Sequence, residues 1–80
     1  MAIIEIKTTE EEQKKVIEAI KLIEGKEAPM SKIAKLSGIS PNRVRYVIVD
    51  LLELKKITRE PVKAFNVHYV RYKYYVKEAN

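Results

Sequence analysis

The side chains best suited to chemistry in this chain crowd into one stretch. Ser40-Pro41-Asn42-Arg43-Val44-Arg45-Tyr46-Val47-Ile48-Val49 sets a carboxamide, two guanidinium groups and a phenol close behind a helix start. The Ser40 hydroxyl suits the cap, and Pro41 suits the first helical position, where its missing N–H would have had no intrahelical partner. Val44, Val47, Ile48, Leu51 and Leu52 recur at helical spacing and are expected to face a core. Asn42, Tyr46, Val49 and Glu53 then point outward, flanked by Arg43, Arg45 and Asp50. Guanidinium and carboxamide groups make directional, paired hydrogen bonds, so the chemistry on offer is recognition.

Turnover has no comparable constellation. The chain has no cysteine and a single histidine, His68, which argues against a zinc site, a thiol nucleophile and a disulfide. Ser37 and Ser40 have no adjacent His/Asp partners, and there is no glycine-rich loop to cradle phosphate. The run Glu10-Glu11-Glu12 reads as a helix start, where carboxylates meet the positive end of the dipole. No enzyme activity, no cofactor and no small-molecule substrate is expected.

Eighty residues with 46% apolar and 34% charged content make one small folded domain, residues 1–80. Nothing in the first residues resembles a signal peptide and no apolar run approaches a membrane span, so a cytoplasmic location is expected. The net charge of +5 is unevenly placed. Residues 1–27 hold five lysines against seven glutamates, whereas residues 28–80 hold seven lysines and all four arginines against Asp50, Glu53, Glu60 and Glu78. The cationic part is the one that contains the outward helix.

Around that helix the remaining elements follow in order. Residues 3–7 are β-prone and predict a short N-terminal strand. Thr9 and Glu12 have the spacing of a capping box, opening a helix over residues 10–24 with Val16, Ile17, Ile20 and Ile23 inward and Gly25 at its end. Pro29 keeps the residue before it extended, and Met30 to Leu36 form a second helix closed by Gly38, whose left-handed backbone carries little steric cost. Two helices joined this closely form a helix-turn-helix. Residues 57–60 predict a strand, with Pro61 ending it or marking an edge, and residues 62–67 a loop. Residues 68–77 alternate, with Val70, Tyr72, Tyr74 and Val76 on one face and Tyr69, Arg71, Lys73 and Tyr75 on the other, which predicts a second strand and hence a hairpin. Tyr72 and Tyr74 read as core, with Tyr69 and Tyr75 covering the sheet or a dimer contact. A stacking platform for single-stranded bases is the sharper use of that tyrosine face.

This order resembles the winged helix-turn-helix family of DNA-binding domains over residues 10–77, most specifically in Lys32-Ile33-Ala34-Lys35-Leu36-Ser37-Gly38-Ile39-Ser40. Size and Ile/Lys/Glu-rich composition are similar to small archaeal and archaeal-virus regulators. The family usually has glycine between its third helix and first wing strand, where this chain has Lys55-Lys56, and glycine at the wing tip, where it has Ala64-Phe65-Asn66. The resemblance implies an α+β fold of three helices plus a C-terminal β-hairpin wing. It also implies a third helix in the major groove of double-stranded DNA, with the wing on the backbone or minor groove. Asn42, Arg43, Arg45 and Tyr46 are then the base-reading residues, with Val49 against a thymine methyl. Ser31, Lys32, Lys35 and Ser40, and on the hairpin Arg59, Lys63, Arg71 and Lys73, are suited to phosphate. The function so implied is sequence-specific transcriptional regulation. A homodimer is expected, through the N-terminal strand and first helix or through the last strand, because a single small module buries limited surface. A winged helix serving RNA or protein interaction is the alternative. High Ile, Lys and Glu content with no Cys and one Gln further suggests a thermophilic source.

Overall fold

A computed structural model describes residues 7–62 and 71–77. Three helices, α1 (Glu10–Leu22), α2 (Met30–Ser37) and α3 (Pro41–Glu53), are combined with three strands, β1 (Glu27–Ala28), β2 (Ile57–Val62) and β3 (Arg71–Val76). The fold is α+β with a small antiparallel sheet of strand order β1-β3-β2. The strand expected over residues 3–7 lies outside the described residues except for Lys7, which is in no strand. Lys63, His68 and Tyr69 also lie outside them.

Local chemistry sets the helix ends. In α1 the Glu12 N–H donates to the Thr9 hydroxyl at 3.2 Å and the Thr9 N–H donates back to the Glu12 carboxylate at 3.0 Å, the reciprocal cap expected from the spacing. The helix stops at Leu22, two residues before the expected end. The next residue, Ile23, points into the core, and Gly25, with φ of 78°, turns its N–H onto the Tyr74 carbonyl at 3.1 Å. α2 ends at Gly38 with φ of 74°, as the glycine's position predicts. α3 starts at Pro41 under Ser40, whose hydroxyl accepts from the Arg43 N–H.

The core gathers Val16 and Ile20 from α1, Ile33 from α2, Val44, Val47, Ile48 and Leu51 from α3, and Ile57 and Tyr74 from the sheet. Ile17 and Leu52, expected inward, are only half-buried at its margin, as is Tyr72. Strand β2 runs two residues past the expected end at Glu60. Pro61 is accommodated because β2 is an edge strand, so the N–H that proline lacks is not needed by a further neighbour. The two-residue β1 pairs Glu27 with Lys73 and Ala28 with Tyr72, which places β3 between two partners.

The turn after α3 shows how the chain manages without glycine. Lys56 N–H donates to the Leu51 carbonyl at 2.9 Å and Lys55 N–H to the Leu52 carbonyl at 3.1 Å, a Schellman closure with Lys55 at φ of 59°. A left-handed backbone costs an L-residue with a Cβ about 1–2 kcal/mol. Lys55→Gly is therefore expected to stabilise the protein by about 0.5–1 kcal/mol after glycine's greater unfolded-state entropy is deducted. Thermal melts of the two proteins check this, and the substitution is wrong for this turn if the midpoint falls.

Candidate nucleic-acid interface

The residues singled out on α3 divide into two groups. Asn42, Arg45, Tyr46, Val49 and Glu53 form a solvent-facing stripe, with Tyr46 and Val49 each 49% exposed despite their apolar surface. This side is opposite the buried Val44, Val47, Ile48 and Leu51, since a helix that packs with one stripe must present the other. The Ser40 cap and Pro41 put Asn42 and Arg45 in the first turns of the helix.

Arg43 is committed elsewhere. Its guanidinium grips the Glu12 carboxylate at two points, Nε to Oε2 at 2.9 Å and Nη2 to Oε1 at 2.7 Å, across 31 residues of sequence. Nη2 also reaches the Lys7 carbonyl at 3.4 Å. Expected to read bases, Arg43 instead ties the first turn of α3 to the first turn of α1. The Arg43 guanidinium, followed by the Thr9 N–H, holds the Glu12 carboxyl at about 2, below its ordinary 4.5. The same carboxylate raises Arg43, so both remain charged throughout the neutral range.

Asp50 also departs from expectation. Placed by periodicity on the flank of the outward face, it is 4% exposed and accepts from the Thr8 hydroxyl at 2.6 Å and the Lys7 N–H at 3.0 Å. Gln13, buried on α1, donates to the Thr8 hydroxyl at 3.3 Å and completes the chain of polar contacts. Lys7 and Thr8 are thereby laid along one flank of α3, between Arg43 and Asp50. The two Asp50 contacts join positions more than forty apart, beyond the reach of periodicity and local spacing.

Ser31, Lys32, Lys35 and Ser40 are all exposed. Lys32 lines a shallow groove with Leu22, Lys26 and Leu36 on the α1 side of α2, so the structure does not gather it with the α3 stripe. On the sheet, strand alternation divides the remaining cations. Arg59 pairs with Tyr74 in register, and its guanidinium carbon lies 4.1 Å from the Tyr72 ring centroid, a half-buried stacking contact rather than an outward phosphate ligand. Burial pushes the Tyr74 phenol up, and neighbouring Arg59 pulls it partly back. Arg71 meets Glu27 at 3.2 Å, and Lys73 lies in register between Glu27 and Glu60. The Tyr75 hydroxyl donates to Glu60 at 2.7 Å, which raises the phenol's pKa. Two carboxylates thus sit among the cations of the outer sheet face, which weighs against a base-stacking platform there, because such platforms need an electropositive groove.

Among the described residues no cluster of three or more His, Cys, Asp or Glu side chains is placed to hold a metal, and no helix is long and apolar enough to cross a membrane. Comparison with known protein families, with curated proteins and with solved structures returns no match. The class defined by the coordinates is therefore an α+β domain of three helices and a three-stranded antiparallel sheet, with a polar and aromatic stripe displayed on its third helix.

Three outcomes are expected. Glu12 has its folded-state pKa lowered, so its contribution is complete above pH 4.5 and disappears as pH falls from there toward about 2. In denaturant titrations between those pH values, wild-type stability should fall more steeply than that of Glu12→Gln. Asp50→Ala should cost about 1–3 kcal/mol by stranding the Thr8 hydroxyl, and should speed hydrogen exchange at the Lys7 amide. Glu53→Ala on the exposed side should stay within about 0.5 kcal/mol of wild type.

Proposed function

We propose that this protein is a winged helix-turn-helix domain that binds double-stranded DNA and regulates transcription. The observation that carries this reading is the exposed stripe of α3, where a capped and rigid helix start offers Asn42, Arg45 and Tyr46 with Val49 one turn beyond. A helix of this diameter fits the major groove, where arginine can pair with guanine O6 and N7, asparagine with adenine N6 and N7, and valine can meet a thymine methyl. In this reading α2 and α3 are the two helices of the motif, and β2 and β3 are the strands of the wing. Arg43 is left out of the base-reading set because its Nε and Nη2 are engaged by Glu12 and the Lys7 carbonyl.

Phosphate contact falls to the exposed Ser31, Lys35 and Ser40 around the motif, with the flank of the wing contributing as the hairpin meets the backbone. Such contacts orient the domain without selecting sequence. A pair of domains on half-sites about one helical turn apart supplies the remaining specificity, so the functional unit is a homodimer.

Selection of bound duplexes from a randomised pool tests the proposal, followed by titration of the selected site. Arg45→Ala and Asn42→Ala should each cost about 1–3 kcal/mol of specific affinity and relax preference at one base position. Lys35→Ala should weaken all duplexes alike and reduce the salt slope by about one. A pool that shows no enrichment, or binding that favours structured RNA over duplex, would overturn the reading.

A further inference from the structure

A carboxylate beside a helix that meets a polyanion ordinarily weakens binding, and Glu12 stands at the first turn of α3. Both its oxygens, however, are engaged. Oε1 accepts from the Thr9 N–H at 3.0 Å, the Thr9 hydroxyl at 3.3 Å and Arg43 Nη2 at 2.7 Å, while Oε2 accepts from Arg43 Nε at 2.9 Å. Both partners occupy the third position of their helices, so two helix starts are joined by a planar two-point contact.

The location gives the contact its weight. Val44 is the first residue of α3 buried in the core; Pro41 and Asn42, ahead of it, are exposed. The end of α3 that carries Asn42 and leads into Arg45 and Tyr46 thus projects beyond the apolar packing. Beside the Ser40 cap, the Val44 N–H on the Ser40 carbonyl and Ile39 at the core margin, the side chain that ties it to α1 is Arg43, pinned by Glu12 and touching the Lys7 carbonyl. The Glu12 side chain is 22% exposed and that of Arg43 43%, so the pair is shielded enough to persist and near enough to the surface to act on it.

We propose that Glu12, with Arg43 as its partner, is a positioning residue for the α3 stripe: an acidic side chain on the first helix that strengthens recognition by fixing the start of the third. The inference rests on the DNA reading of that stripe. It assigns Arg43 a role through Glu12 in place of contact with DNA. It also predicts an effect opposite in sign to simple electrostatics, since removing a negative charge near the interface should weaken binding.

The test is a double-mutant cycle of Glu12→Gln, Arg43→Gln and the combined variant. Glutamine at position 12 keeps the capping-box geometry while losing the charge. Titrations against the selected duplex are run well below each variant's melting midpoint. Each single change is expected to lower specific affinity by roughly tenfold, with the double variant no worse than the weaker single and the salt slope unchanged. Glu12→Gln binding as tightly as wild type or more tightly, with Arg43→Gln reducing the salt slope by about one, would show Arg43 on the DNA and overturn the proposal.

Hydrogen exchange separates failure of this inference from failure of the DNA reading. The Val44 N–H bonds the Ser40 carbonyl at the start of α3, and the Leu54 N–H bonds the Asp50 carbonyl at its end. In Glu12→Gln the Val44 amide should lose protection while that of Leu54 keeps it. Unchanged protection at Val44 would overturn the positioning role whether or not the wild-type protein binds duplex.

Discussion

Four side chains on one side of α3, Val44, Val47, Ile48 and Leu51, have no solvent exposure, and the rest of the architecture is arranged to cover them. Each contributes about 1.5–3 kcal/mol through removal from water, a large share of what so small a domain can collect. α1 and α2 pack against this side and β2 closes one end of it. Because a single helix was used to found the core, its opposite side is left in water along its whole length. That asymmetry makes α3 both the structural centre and the place where recognition is proposed.

Apolar packing stops short of the first turn of α3, and along one flank of the helix polar contacts take over. Arg43 and Asp50 stand two turns apart on the same flank of α3, and between them Lys7 and Thr8 are held by a carboxylate and a guanidinium. Buried polar groups are tolerable only when each finds a partner, and among the described residues no buried side-chain nitrogen or oxygen lacks one. The two acidic residues central to this corner, Glu12 and Asp50, therefore serve cohesion. The remaining carboxylate of α3, Glu53, is exposed.

The sheet follows a similar division. Ile57, Arg59 and Tyr74 lie on its inner face, with Tyr72 and Val76 packed against the core margin and Arg59 stacked over Tyr72. The outer face interleaves Glu27, Glu60, Arg71, Lys73 and Tyr75, so that Arg71 pairs with Glu27 and Lys73 lies in register between two glutamates. The positive charge of the sequence is consequently less available on the sheet than its count suggests. Exposed cations also stand on α2 and α3, at Lys32, Lys35 and Arg45.

Features that depend on neighbours a few positions apart are legible in the order of residues alone. The Thr9/Glu12 cap, the Ser40-Pro41 start, the glycine at the end of α2, the apolar stripe of α3 and the alternation of β3 each follow from local geometry and period, and each could be read directly. Tertiary structure alone decided the pairing of Glu12 with Arg43, the burial of Asp50, the stacking of Arg59 on Tyr72 and the recruitment of Glu27–Ala28 as a third strand. Periodicity can assign a residue to a helix face, but a charged residue on the flank of that face is outward or inward according to which distant segment reaches it. Arg43 and Asp50 stand on such a flank, and segments from the other end of the chain claimed them both.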